Sequence, residues 1–382
     1  MTTPQIPEPA KIPERAKIPE PAKIPEPVEG HTVDPVPRQA PDPADPAGRN
    51  ASDPLLEVID LSVGVDLGGR LVPALDRVSF TVAPGEARGL VGESGSGKSL
   101  TLRAIMGLLP TGVRVTGGRI LFQGRDLLAA GGAWQRQVRG TGITMIFQEP
   151  AVALNPVLRV GDQIGDGLRQ HRRLSRRASH QQAIRLMELV GIPDPDRRVN
   201  AYPHELSGGL RQRVMIAAGV ACEPQLILCD EPTTALDVTI QEQILQLFAN
   251  LRDELDAALL YVTHDLAVVA QLCDTISVLY GGRVMEEGDS LHAVFDRPAH
   301  PYTRALLGAT PTIDGPVHRL ESIPGTAPSL QARPGGCPFH DRCGSATSAC
   351  ADTDVPLEPL APGRSVACLQ PLLDTDLTGG RR

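Results

Sequence analysis

GESGSGKS, residues 92–99, decides the fold of this chain. The stretch fits the phosphate-loop pattern GxxxxGK[ST]: Gly92, then Glu93, Ser94, Gly95 and Ser96, then Gly97, Lys98 and Ser99. Ala87 to Val91 before it reads as a short buried strand. Leu100 to Leu109 after it carries apolar residues at helical spacing, at Leu102, Ile105, Met106 and Leu109. Strand, glycine turn and helix in that order are the setting the motif needs. Glycines let successive backbone N–H groups turn onto a phosphate without a Cβ in the way, and the helix start adds unsatisfied donors and partial positive charge. Lys98 then reaches the β- and γ-phosphates, and Ser99 offers a hydroxyl to Mg²⁺. A nucleoside triphosphate is the expected ligand, with Leu100 closing the set 92–100.

Working outward, residues 1–53 repeat a six-residue unit (IPEPAK, IPERAK, IPEPAK, IPEPVE) and continue rich in Pro, Asp and Ala. Such spacing of proline forbids helix and sheet ladders, so a disordered tail is expected. From Leu55 the pattern changes. Leu55 to Val63 and Val78 to Val82 read as paired strands around a Gly68-Gly69 turn, and Arg119 to Phe122 as another, which suggests a small antiparallel sheet. Apolar strand runs at Ile143 to Phe147, Leu226 to Asp230, Leu259 to Thr263 and Thr275 to Leu279 alternate with helical patterns, and Gly281 to Gly288 reads as a hairpin. That alternation predicts an α/β fold with a mainly parallel sheet and ligand groups at strand C-termini. Val160 to Val190 is helical in pattern. It contains a basic run at Arg169, His171, Arg172, Arg173, Arg176 and Arg177, read as a solvated helix end.

The 382 residues suffice for two domains, and a net charge of −8 argues against generic nucleic-acid binding. No apolar run reaches a membrane span and the N-terminus has no signal-peptide core, which points to the cytosol. The seven cysteines are then expected as thiols, metal ligands or packing residues. Cys222, Cys229 and Cys273, in apolar surroundings, read as packing.

Downstream of the phosphate loop, Leu206-Ser207-Gly208-Gly209-Leu210-Arg211-Gln212 resembles the LSGGQ signature of ATP-binding cassette proteins, with Leu210 in place of the usual glutamine. Gln148 fits that family's Q-loop, Asp230 and Glu231 its Walker B pair, Ala235-Leu236-Asp237 its D-loop and His264 its switch histidine. The resemblance implies a P-loop ATPase core with a small antiparallel β subdomain and a helical subdomain. It implies that Asp230, Ser99 and Gln148 attend Mg²⁺, that Glu231 activates the attacking water, and that His264 contacts the γ-phosphate. It also implies a head-to-tail dimer in which Ser207, Gly208 and Gly209 of one subunit cap the ATP held by the other. The family often stacks the adenine on an early aromatic residue. Val65 stands at the matching position here and is not aromatic.

Further stretches, among them Met145 to Pro150, Tyr202 to Gly209, His300 to Leu307 and Ile323 to Cys343, resemble the ATP-binding subunits of oligopeptide and dipeptide importers. The expected division is 1–53 tail, 54–320 nucleotide-binding domain with its helical subdomain at about 149–225, 321–370 C-terminal extension, and 371–382 tail. Expected partners are a second cassette subunit, identical or related, two membrane permease chains, and through them an extracytoplasmic binding protein. No nucleic acid is expected, and the site of action is the cytoplasmic face of the inner membrane. A related importer of nickel or another small solute shares these motifs. A soluble cassette ATPase acting on ribosome or DNA is the rival from another class, supported only by the basic run.

Cys337, Cys343, Cys350 and Cys368 lie in the extension, in sequence without helical or strand periodicity that would bury them. Their spacings of five, six and seventeen intervening residues match no standard zinc-finger pair, and four thiolates also suit an iron–sulfur cluster. The family resemblance implies a 4Fe-4S cluster; zinc and unligated thiols stay open.

Overall fold

A computed structural model describes residues 53–129, 132–234, 236–310 and 322–372. The proline-rich tail, Ala235 of the D-loop and the last ten residues lie outside them.

β1 (Leu56–Leu67) and β2 (Arg70–Val82) form a long hairpin, followed by β3 (Ala87–Val91) and α1 (Lys98–Met106). Next come β4 (Val113–Phe122), β5 (Arg125–Asp126), α2 (Gly132–Val138) and β6 (Ile143–Ile146). A helical stretch holds α3 (Pro150–Ala153), α4 (Val160–His171), α5 (Arg176–Leu189), α6 (Pro195–Arg198) and α7 (Gly208–Val220). The core resumes with β7 (Leu226–Asp230), α8 (Val238–Leu255), β8 (Ala258–Thr263), α9 (Leu266–Leu272), β9 (Thr275–Tyr280) and β10 (Arg283–Gly288). The chain closes with α10 (Leu291–Phe295), α11 (Pro301–Ala309), α12 (Ala349–Asp352), β11 (Glu358–Ala361) and β12 (Arg364–Val366).

Two sheets result. The smaller has order β2-β1-β4-β5 and is antiparallel throughout. The larger has order β11-β12-β10-β9-β3-β8-β7-β6, parallel from β9 to β6 and antiparallel from β9 outward to β11. Every residue of β3, β6, β7, β8 and β9 is buried, as expected of parallel strands covered on both faces. Alternation then divides each strand between two cores. Leu226, Leu228, Leu260 and Val262 join the small sheet and α1, while Ile227, Cys229, Leu259 and Tyr261 join the helices of the other face.

The extension is more ordered than its sequence suggests. β12 pairs with β10 through Glu286–Val366, Glu287–Ser365 and Gly288–Arg364, so the C-terminal segment continues the core sheet. The basic run is also less idle than a solvated face. Arg169 Nη2 donates to the Asp162 carbonyl (2.9 Å) and Arg172 Nη2 to the Cys222 carbonyl (2.8 Å), the latter tying the end of α4 to the end of α7. Cys222, Cys229 and Cys273 are buried packing residues, and burial raises the Cys229 thiol well above its usual pKa.

Candidate functional site

Parallel strands deliver the predicted chemistry to one edge. The phosphate loop follows β3, Gln148 follows β6, Asp230 ends β7 with Glu231 next to it, and His264 follows β8. Two glycines of the loop are sterically required. A Cβ on Gly92 would stand 2.1 Å from the Leu279 carbonyl oxygen, and Gly97, at φ 108°, would drive one to 2.4 Å from Leu75. Gly97 also caps α1, so the helix starts at Lys98 with its first donors turned to the loop.

Lys98 is buried and donates to the carbonyls of Gly92 (2.8 Å) and Glu93 (3.0 Å), with Glu231 Oε1 at 3.8 Å. Burial lowers its pKa, against the opposing pull of Glu231 and Asp230. Ser94 and Gly95 are exposed at the tip of the loop, whereas Ser96 Oγ is buried with no partner among the described residues. Ser99 Oγ donates to Asp230 Oδ1 at 2.6 Å. Burial raises the Asp230 pKa, and the Ser99 hydrogen bond acts the other way. A hydroxyl and a carboxylate in contact are the hard-oxygen donors that Mg²⁺ takes, so Ser99 and Asp230 fit that ion. When bound it neutralises charge on the phosphates.

Glu231 sits just past the strand at φ 44°, with its N–H on the Val262 carbonyl. Its Oε2 lies 3.1 Å from His264 Nδ1 and accepts from Thr234 Oγ1 at 3.0 Å. Carboxylate, imidazole and buried ammonium are therefore brought together just past the ends of β7 and β8. Gln148 is on the same edge but exposed, and makes no hydrogen bond to this group among the described residues.

Ser207, Gly208 and Gly209 are not brought to the phosphate loop of their own chain. Ser207 caps α7, its Oγ accepting from the Leu210 N–H at 3.4 Å, and Ser207 and Gly208 are exposed. Asp237 caps α8 from an equally exposed position, beside Val238 at 84% exposure.

The four C-terminal cysteines converge. Cys337, Cys343, Cys350 and Cys368 line one cavity of about 20 Å³ with His300 and His340. Cys337 is buried and the others half-buried, a departure from the expectation that nothing would bury them. His300 Nδ1 accepts the Tyr302 N–H (3.0 Å), so the neutral ring carries its proton on Nε2, which is buried and has no acceptor among the described residues. Among the described residues, no group of three or more His, Cys, Asp or Glu is close enough to hold a metal ion. Four thiols around one cavity are the donor type an iron–sulfur cluster takes, but as placed here no three of them converge on one ion and the space is about that of one water.

Sequence reasoning gave no role to Tyr302, Tyr280 or Arg342. Tyr302 Oη accepts the Glu93 N–H (2.9 Å), and Arg342 pairs with the Glu93 carboxylate. Both residues lie within stretches quoted for the family resemblance, which was the only signal available.

Fold and site together define a P-loop ATPase of the ATP-binding-cassette class. The profile of the ABC transporter family matches residues 75–234, and that of the oligopeptide/dipeptide transporter C-terminal region matches 285–350. A putative peptide import ATP-binding protein of Brucella abortus is 46% identical over 323 residues, which is 85% of this chain and 96% of that protein. The dipeptide transport ATP-binding protein DppD of Bacillus subtilis is 47% identical, covering 76% of this chain and 86% of its own. The oligopeptide transport ATP-binding protein OppD of Escherichia coli is 43% identical, covering 86% and 96%. A dimeric ATP-binding cassette in a post-hydrolysis state with ADP and Pi superposes with a TM-score of 0.55 at 29% identity, over 61% of this chain and 97% of that one. The chain belongs to the ABC transporter ATP-binding proteins, in the oligopeptide/dipeptide branch. Among the described residues no helix is long and apolar enough to cross a membrane.

Proposed function

We infer that this chain is the ATP-binding and ATP-hydrolysing subunit of an importer of oligopeptides or dipeptides. The observation that carries it is the pairing, in one chain, of an ABC transporter match over residues 75–234 with a C-terminal region of the oligopeptide/dipeptide type over 285–350. The nucleotide-binding domain is 54–320 and the extension 321–370. Glu231 orients or deprotonates the attacking water, His264 holds Glu231 and the γ-phosphate, Lys98 and the loop amides grip the phosphates, and Ser99, Asp230 and Gln148 attend Mg²⁺. The exposed Ser207, Gly208 and Asp237 face a second cassette, identical or related, so that ATP closes the pair and hydrolysis releases it.

The chain docks on the cytoplasmic face of the inner membrane against two permease chains, supplied by an extracytoplasmic binding protein. Phe147, Val152, Val157 and Leu158 support this. They are apolar, exposed and grouped from Phe147 to Leu158, where a permease helix would seat. Extraction of the tagged chain in mild detergent should bring down two apolar membrane chains and a second cassette. Ribosomal proteins or DNA in their place would refute the transporter reading.

The four C-terminal cysteines hold a 4Fe-4S cluster in this reading, supported by their shared cavity and the unaccepted His300 donor. Cys343→Ser should abolish the cluster's visible absorbance. Full iron content with unchanged absorbance would remove Cys343 from the ligand set.

A further inference from the structure

The phosphate loop is held from outside by a segment that the ATPase chemistry does not use. Glu93, its second residue, is fixed at two points. The carboxylate receives both prongs of the Arg342 guanidinium, Nη1 at 2.6 Å from Oε2 and Nη2 at 3.0 Å from Oε1. The backbone N–H donates to Tyr302 Oη. Arg342 is itself immobilised. Its Nη1 also donates to Tyr280 Oη (3.0 Å) and its Nε to the Pro324 carbonyl (2.7 Å), and its charge lies 5.6 and 5.8 Å from the Tyr280 and Phe339 ring centres. Only 7% of the Arg342 side chain is exposed, against 26% for Glu93. Two-pronged, charge-assisted contacts of this kind are the strong and directional ones.

The consequence for the site runs through one residue. The Glu93 whose carboxylate Arg342 clamps is also the residue whose carbonyl accepts from Lys98 Nζ. A glycine-rich loop is soft, and ordering it on binding costs affinity unless something orders it beforehand. We infer that Arg342 is a positioning residue for the nucleotide site: through Glu93 it pre-sets the phosphate loop and the Lys98 ammonium for the triphosphate. This rests on residues 92–99 being the phosphate loop and is independent of any cluster at the cysteines. Glu231 and His264 follow β7 and β8 and, among the described residues, make no contact with Arg342, so the clamp acts on binding rather than on the hydrolytic step.

The test compares Arg342→Met, Arg342→Lys, Glu93→Gln and the Arg342→Met/Glu93→Gln double variant of the full chain. Dissociation constants for Mg-ATP and Mg-ADP are read on the purified chain, and KM and kcat on the assembled transporter. Arg342→Met should weaken both nucleotides and raise KM by about tenfold, within the usual range of a coupling between sites, while kcat stays within about twofold. Glu93→Gln should likewise weaken both nucleotides. The double variant should be no worse than either alone, because both remove one contact. Arg342→Lys keeps the charge without the fork and should fall between. Unchanged dissociation constants with a lowered melting temperature, or additive losses in the double variant, would overturn the inference; if Arg342→Met does not fold, Glu93→Gln and Arg342→Lys carry the decision alone. Lys98→Ala run in parallel separates the two levels. Wild-type ATP affinity in Lys98→Ala would reject the phosphate-loop reading itself, whereas lost affinity there with none lost in the clamp variants rejects only the clamp.

Discussion

Glu231 occupies backbone space that a side chain seldom takes, at φ 44°, immediately after a strand buried along its whole length. A non-glycine residue held there costs about 1–3 kcal/mol, and such strain collects where function demands a side chain in one place. Here the carboxylate is placed against His264 and within 3.8 Å of Lys98. Glu231→Gln keeps the shape and removes the proposed base. Turnover should fall by about 10²–10⁴-fold while ATP binding survives, measured as phosphate release beside nucleotide retention. ATP lost together with turnover would make Glu231 a structural residue. Lys98→Ala is its converse: nucleotide affinity should fall, because the ammonium proposed to grip the phosphates is gone and the carbonyls of Gly92 and Glu93 lose their donor. The places of these residues were legible in sequence: Glu231 sits one step beyond an apolar strand run, and Lys98 closes the GxxxxGK pattern at the start of a helix. Arg342 was not legible. Its partner lies 249 positions away, and neither composition nor periodicity marks a contact across that distance.

Helix starts offer a cleaner comparison at the scale of the element. Ser175 and Ser207 each begin a helix, with a side-chain oxygen accepting from the N–H three residues on, Ala178 at 3.2 Å and Leu210 at 3.4 Å. Removing either cap should cost about 1 kcal/mol of stability. Both are exposed, but only Ser207 is followed by two glycines, the arrangement proposed above to cover a partner's nucleotide. Ser175→Ala and Ser207→Ala should therefore lower the melting temperature alike, while ATP hydrolysis in the assembled complex collapses in Ser207→Ala alone. Equal activity in both would leave the signature with no role beyond capping. The core strands were readable as continuous apolar runs. β11 and β12 were not. They are short, at most half-buried outside Val366, and carry Pro359, so nothing in their pattern announces a strand.

For the whole molecule, the extension and the core are joined by a buried charge as well as by a sheet. Glu286 on β10 has no exposed surface. Its oxygens accept from the N–H groups of Ala299 (2.9 Å) and His300 (2.8 Å), and its one cationic partner among the described residues is Arg364 of β12, at 2.7 Å. A carboxylate removed from water needs that partner, and leaving one behind costs about 3–5 kcal/mol. Arg364→Met should therefore destabilise the full chain by about that amount in urea unfolding. Adding Glu286→Gln to it should recover part of the loss, since the amide can still accept from one of the two N–H groups without bearing a charge. Were the double variant as unstable as the sum of its parts, the damage would lie in lost packing of β12 rather than in an orphaned carboxylate. His300 gives this staple its reach. Its N–H binds Glu286, its ring nitrogen accepts from Tyr302, and Tyr302 Oη accepts from the phosphate loop. Loosening Arg364 should consequently weaken ATP binding as well as folding, so nucleotide affinity measured below the unfolding transition separates a propagated effect from simple loss of folded protein.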